Sequence, residues 1–157
     1  MQGYLNDEKE TESVLKKHKD GRTWLHTGDI GCMDEDGFIY FKSRLKRLIV
    51  SSGYNIYPSY IEGIINKHEY VSNCTVIGMP DKYRGQIAKA FVVLKKEVKL
   101  TEEVEEEIKE YCKKYIAKYS MPRIFEFRKE LPKTLVGKIA YTVLEEEEKV
   151  KEKITKK

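Results

Sequence analysis

Ala88-Lys89-Ala90-Phe91-Val92-Val93-Leu94-Lys95 contains an unbroken apolar run from Ala90 to Leu94. A run without polar alternation predicts a strand covered on both of its faces. Upstream, Val71 to Met79, with Val76 and Ile77, reads as a second strand. Pro80-Asp81 is expected to break it, because proline cannot donate to a ladder. Asp81-Lys82-Tyr83-Arg84-Gly85-Gln86 then reads as an exposed connector. Downstream, Thr101-Glu102-Glu103 opens a helix, with Thr101 as N-cap and acids at the positive end of the dipole. Val104, Ile108, Tyr111, Cys112, Tyr115 and Ile116 recur at helical spacing and predict a stripe facing the core. That helix is expected to end near Tyr119-Ser120, and Met121-Pro122-Arg123 leads into a third strand, Ile124-Phe125-Glu126-Phe127.

Further out, Leu48-Ile49-Val50 is a short apolar strand, followed by a turn at Ser51-Ser52-Gly53-Tyr54-Asn55. Tyr57-Pro58-Ser59 opens a helix with Ile61, Ile64 and Ile65 on one side and Glu62 in its first turn. Ile139 to Leu144 reads as the start of a further helix, and Glu145 to Lys157 as a fraying helix or a disordered charged tail. At the other end, residues 4–20 predict a polar helix capped by Asn6 or Asp7 and stopped by Asp20-Gly21. Residues 24–43 read as β-rich, with a hairpin turn at Asp34-Glu35-Asp36-Gly37 and a returning strand Phe38-Ile39-Tyr40-Phe41. The expected class is α+β: a small mixed sheet flanked by three helices, preceded by a β-hairpin. The bounds are residues 1–43 for the leading part, 44–149 for the main domain and 150–157 for a charged tail. The first part has little apolar surface for a core of its own and looks like the edge of something larger.

At 157 residues the chain suits one ordinary domain rather than two. The 30 Lys and Arg against 26 Asp and Glu are interleaved, so no polybasic arm points to nucleic acid, although the mild excess suits an anionic ligand. Cys32, Cys74 and Cys112 form no CxxC pair and support neither a zinc knuckle nor a disulfide framework; reduced cysteines in a cytoplasmic protein account for them. His18, His26 and His68 share no ligand spacing, so no metal site is expected. The first residues lack the features of a signal peptide, and no apolar run reaches transmembrane length.

Leu131-Pro132-Lys133-Thr134-Leu135-Val136-Gly137-Lys138 places a glycine at a loop tip and a lysine just before an apolar-patterned helix. A lysine so held can bring a compact positive charge to a phosphate or a developing carboxylate oxygen. On spacing alone, a surface turn with two solvated lysines explains the same residues. Asp29, beside Gly28, likewise reads either as a turn residue capping its own backbone or as a ligand-facing carboxylate.

Three motifs in one order change the balance. Trp24-Leu25-His26-Thr27-Gly28-Asp29, then Ser43-Arg44-Leu45-Lys46-Arg47-Leu48-Ile49-Val50-Ser51-Ser52-Gly53-Tyr54-Asn55-Ile56-Tyr57-Pro58, then Leu131 to Lys138, together resemble the C-terminal third of an adenylate-forming enzyme. That superfamily includes acyl-CoA synthetases, luciferases and peptide-synthetase adenylation domains. The resemblance implies a two-step ligase that uses ATP with Mg2+ and coenzyme A (CoA) as substrates. A carboxylate and ATP give an acyl-adenylate and pyrophosphate, and the CoA thiol then displaces AMP. The small domain is a lid that rotates between the steps, and its partner is the large N-terminal domain of the same enzyme.

Residue by residue, the resemblance implies that Asp29 binds the ribose hydroxyls and that Arg44 reaches the nucleotide. Lys46 falls at the hinge. Lys138 would be the catalytic lysine of the first step, bridging the substrate carboxylate and the α-phosphate. Ser52 and Gly53 match the segment lining the pantetheine tunnel, and Tyr119 and Arg123 become candidates for stacking and phosphate pairing on CoA. A packed tyrosine and a surface arginine explain those last two equally well.

The family's glycine-rich phosphate loop and acyl pocket have no counterpart in this sequence, so the chain is expected to be a fragment, inactive alone and prone to self-association through Trp24, Phe38 and Phe41. Val50 stands where luciferase-like members carry a second lysine, and Ser51 to Pro58 looks more like an acyl-CoA synthetase, as in fatty acid metabolism, than a peptide-synthetase domain. Two other readings stay open: the lid of a domain that loads a carrier protein, and a non-catalytic module binding a nucleotide or an acyl carrier.

Overall fold

In a computed structural model that describes residues 1–155, the chain divides into two compact units, Met1–Lys46 and Arg47–Lys157. The first unit begins with helix α1, Glu8–Val14. The Asp7 carboxylate accepts from the Glu10 amide at 2.9 Å and caps it. The helix expected over residues 4–20 is shorter than predicted. Leu15–Lys17 instead forms strand β1, antiparallel to β2, Thr23–Leu25. A short polar helix gains little from each added turn, whereas the β1–β2 ladder is closed by its own turn. Asp20 accepts there from the Arg22 amide and the Trp24 indole N–H, both at 3.0 Å.

A second hairpin joins β3, Asp29–Met33, to β4, Ile39–Arg44. Asp34 organises the predicted turn: its carboxylate accepts from the Phe38 amide and the Tyr40 hydroxyl, each at 2.8 Å. Among the described residues of this unit only Ser43 is buried, and Trp24, Met33, Phe38, Ile39 and Phe41 are exposed.

The second unit is a mixed sheet with helices on both faces. Its strands are β5, Ile49–Ser51; β6, Tyr54–Ile56; β7, Val71–Asp81; β8, Gly85–Leu94; and β9, Ile124–Arg128. The order is β6-β5-β8-β7, with β9 parallel to β8 and the remaining pairs antiparallel. Helices α2, Pro58–Ile65, α3, Glu102–Tyr115, and α4, Tyr141–Thr155, complete it.

The apolar run lies in β8 and is covered on both sides, as its pattern predicts. Ala88, Ala90 and Val92 pack with Ile61 and Ile65 of α2 and Ile108 and Cys112 of α3. Phe91 turns the other way and packs with Ile77, Met79, Leu131 and Leu144 of α4.

Four expectations are corrected. Tyr54–Ile56 is a strand rather than part of a turn, because Ser52 and Gly53 alone, at φ of 50° and 83°, reverse the chain. Pro80 does not break β7 but pairs with Gln86 inside it. It is tolerated because β7 is the edge strand, where a missing N–H faces no partner. Helix α3 stops at Tyr115, where Ile116 turns extended and drops into the core, and Tyr115 faces outward instead of joining the core stripe.

The acidic run after Leu144 is helix rather than disordered tail as far as Thr155, and ion pairs tie it to the sheet up to Lys151; residues 156–157 of the expected tail lie outside the described residues. Lys89, 6% exposed, lies 2.7 Å from both Glu126 and Glu148. Arg128 pairs with Glu126 at 2.6 Å and Glu147 at 2.7 Å, and Lys151 reaches Glu148 at 2.6 Å.

Candidate functional site

The lysine loop is a small closed hairpin. Lys133 and Ile139 form an antiparallel bridge, and the Ala140 amide donates to the Pro132 carbonyl at 2.8 Å. Inside that bridge the Thr134 amide donates to the Lys138 carbonyl at 2.7 Å, and the Gly137 amide to the Thr134 carbonyl at 2.9 Å. The Thr134 hydroxyl accepts from the Lys138 amide at 3.2 Å. Gly137 sits at φ +78°, a conformation costly for any residue with a Cβ. The backbone of Lys138 is thus fixed from both sides. Its side chain is exposed, and its ammonium has no hydrogen-bond or ion-pair partner among the described residues. Leu131 and Leu144, buried on either side of the loop, anchor it to the sheet. The arrangement offers an unneutralised cation on a defined stalk.

In the first unit, β3 and β4 bring Asp29 opposite Arg44, and their side chains pair at 2.8 Å. Both remain partly exposed. The Asp29 amide donates to the Thr27 hydroxyl at 3.1 Å, and the Leu45 amide to the Gly28 carbonyl at 2.7 Å, which pins the end of the hairpin. The Arg44 Nε pairs with one carboxylate oxygen of Asp29. A carboxylate so placed can accept from a vicinal diol while the guanidinium beside it attracts phosphate. Lys46 lies in a 3-10 turn, Leu45–Arg47, as the last residue of the first unit.

Ser52 and Gly53 form the tight β5–β6 turn, with the Ser52 amide donating to the Arg84 carbonyl at 2.8 Å. A Cβ on Gly53 would meet nothing within 4 Å, so its φ of +83° alone calls for glycine. Tyr54, next to that turn, stacks on Tyr119 with ring centroids 5.0 Å apart. Three of the four expected CoA-contacting residues, Ser52, Gly53 and Tyr119, are thereby brought to one patch. Arg123 lines an open cleft of about 620 Å³ with Lys109, Lys113 and Lys118 over an apolar floor of Met121 and Phe125.

Two features escape sequence reading. Arg47, the first residue of the second unit, pairs through both terminal nitrogens with Glu62, donates to the Val76 carbonyl at 3.1 Å and lies 4.8 Å from the centroid of the Tyr141 ring. Glu62 also accepts from the Thr75 hydroxyl at 2.9 Å and the Val76 amide at 2.8 Å. It stands in the second turn of α2, not the first, and buttresses Arg47 rather than the helix dipole. The other feature is a pair of imidazoles. His18 and His26, unrelated by spacing, meet with ring nitrogens 2.8 Å apart across the β1–β2 hairpin. No group of three or more His, Cys, Asp or Glu is arranged to hold a metal ion among the described residues, and no helix there is long and apolar enough to cross a membrane.

Comparison with known proteins gives one family. The family model described as AMP-binding enzyme C-terminal domain matches residues 60–138. A long-chain-fatty-acid–CoA ligase from Bacillus subtilis is 49% identical over 149 residues, covering 94% of this chain and 25% of that protein. One from Yersinia pestis is 45% identical over 148 residues, with the same coverage of 94% and 25%. Among solved structures, o-succinylbenzoate CoA synthetase from Bacillus subtilis, in complex with its acyl-adenylate intermediate, superposes with a TM-score of 0.77 at 35% identity, covering 92% of this chain and 28% of that one. The chain spans about a quarter of the length of the curated relatives it matches.

Proposed function

The chain belongs to the AMP-binding enzyme C-terminal domain family, and from that premise we propose that it serves as the C-terminal part of an ATP-dependent acyl-CoA synthetase. The reaction is carboxylate, ATP and CoA to acyl-CoA, AMP and pyrophosphate through an acyl-adenylate. In this reading residues 1–43 belong to the large adenylation domain, 44–149 form the lid and 150–157 are its charged end. Lys46 is the hinge, a reading supported by the division of the chain into units between Lys46 and Arg47. The protein works in the cytoplasm, and Mg2+ enters with ATP as part of the substrate.

Lys138 places its ammonium between the attacking carboxylate and the α-phosphate, where negative charge shifts as the acyl–phosphate bond forms. Asp29 holds the ribose diol, and Arg44 both orients Asp29 and attracts the nucleotide. Ser52 and Gly53 line the pantetheine path in the second step. Tyr119 and Arg123 contact the CoA nucleotide, a role to which the Tyr54–Tyr119 stack and the basic cleft lend support. The names of the relatives favour a long-chain fatty acid as the carboxylate.

The observation that carries this reading is the unpartnered Lys138 ammonium on a loop whose backbone is closed by its own hydrogen bonds. The test is carboxylate-dependent exchange of labelled pyrophosphate into ATP by the full-length protein, across acids of increasing chain length, followed by addition of free CoA. Exchange with long-chain acids and acyl-CoA formation are expected. Exchange without transfer to CoA, but with transfer to a carrier-protein phosphopantetheine, would favour the carrier-loading alternative. No exchange with any acid would leave only a binding module. Alone, the chain is expected to self-associate through the exposed Trp24, Phe38 and Phe41; light scattering at rising concentration should show species larger than a monomer.

A further inference from the structure

The tip of the lysine loop is apolar where a solvated turn would be polar. Leu135 is 109% exposed and Val136 79% exposed, the two residues between Thr134 and Gly137. Tips of surface turns favour Gly, Asn, Asp and Ser, whose side chains or φ preferences suit the turn. Here the turn chemistry is supplied by Thr134 and Gly137, whose hydrogen bonds close the loop, so Leu135 and Val136 have no part in folding it. The apolar residues that flank the loop, Leu131 before it and Leu144 of α4, are already buried with Phe91, and the tip side chains stand apart from that cluster. Both side chains lie within three residues of Lys138, so whatever surface that ammonium reaches must also lie beside the tip.

Resting on the function proposed above, we propose that Leu135 and Val136 are positioning residues: they dock in an apolar recess of the large domain of the same polypeptide when the lid adopts its adenylating orientation. The relatives are about four times the length of this chain, which leaves ample protein to provide that recess. Removing two aliphatic side chains from water stabilises the closed orientation. That contact is made only while Lys138 faces the phosphates and is released before CoA attacks, because the lid presents a different surface in the second step.

The experiment uses the full-length enzyme with Leu135→Ser/Val136→Ser, the conservative pair Leu135→Met/Val136→Ile, and Lys138→Ala as a control. The double serine variant should lose about tenfold or more in pyrophosphate exchange at saturating ATP and acid. It should keep its melting temperature, its KM for CoA and its rate of thioester formation from supplied acyl-adenylate. The conservative pair should restore exchange. Exchange within twofold of wild type in the serine variant, with exchange still abolished by Lys138→Ala, overturns this inference and leaves the proposed function standing. Unaltered exchange in Lys138→Ala overturns the function itself. A fall in melting temperature, or an equal loss in both half-reactions, also contradicts docking specific to adenylation. Two other occupants are distinguishable: a loss that grows with acyl chain length would mean that the tip touches substrate, and one that varies with enzyme concentration would mean a second copy.

Discussion

Two lysines of the second unit occupy opposite surroundings. Lys138 is exposed on a closed loop with no partner for its charge among the described residues. Lys89, 6% exposed, is clasped by Glu126 and Glu148 and lies 4.9 Å from the centroid of the Phe91 ring. The difference separates two uses of one side chain. A cation already neutralised by two carboxylates has no field left for a substrate, but it holds α4 against β8 and β9. A cation left unpaired on a rigid backbone contributes nothing to folding and is available for chemistry. The second depends on the first, since α4 also supplies Leu144, which packs beneath the lysine loop.

The largest effect expected on stability tests the structural side. Lys89→Met removes the cation shared by Glu148 and Glu126, which keep only Lys151 and Arg128, and should lower unfolding stability by about 1.5–3 kcal/mol, measured by urea denaturation of the chain. Lys138→Ala in the same assay should change stability by no more than about 0.5 kcal/mol. Equal losses would erase the distinction between the two sites.

Acid sharpens the same contrast. Burial alone would raise the Glu126 carboxyl, but hydrogen bonds from Lys89 and Arg128 override it and hold the group down at about 2. Glu148, also raised by burial, is likewise held below the usual range by Lys151 and Lys89. Carboxyls depressed in the folded state contribute stability that is complete above their unfolded values and is lost as pH falls toward the folded ones. Stability should therefore be level above about pH 5 and decline between about pH 4.5 and 2. The Lys89→Met variant should show a shallower decline. A steep loss already at pH 6 would mean that other groups dominate.

A smaller effect probes the loop. Gly137→Ala forces a Cβ into a left-handed conformation and should cost about 1 kcal/mol locally. Its melting temperature should fall only slightly, while adenylation by the full-length enzyme falls more, because the lysine backbone shifts.

Much of this was legible in the residues. The unbroken run in β8 announced a strand with cover on both sides, and Thr101, Pro58 and Asp34 marked their helix starts and turn through local chemistry that needs no tertiary context. What stayed hidden depends on distant pairing. Leu15–Lys17 is helical by propensity and becomes a strand only because Thr23–Leu25 lies beside it. Pro80 reads as a breaker until β7 is known to be an edge. The acidic start of α4 looks like a tail until β8 and β9 present Lys89 and Arg128 to it. The site divides in the same way. The candidate residues were named from ordered motifs, but the Asp29–Arg44 contact needed strand register, and the Tyr54–Tyr119 stack needed the turn to be shorter than it reads. The clamp on Arg47 joins residues 15, 29 and 94 positions away, beyond any local pattern.

The most direct test of the central claim separates the two half-reactions in the full-length enzyme carrying Lys138→Ala. Loss of that ammonium should slow pyrophosphate exchange by roughly a hundred- to a thousandfold, about 2.7–4 kcal/mol of transition-state stabilisation, while thioester formation from supplied acyl-adenylate and CoA proceeds at the wild-type rate. Exchange at the wild-type rate in that variant would contradict the claim.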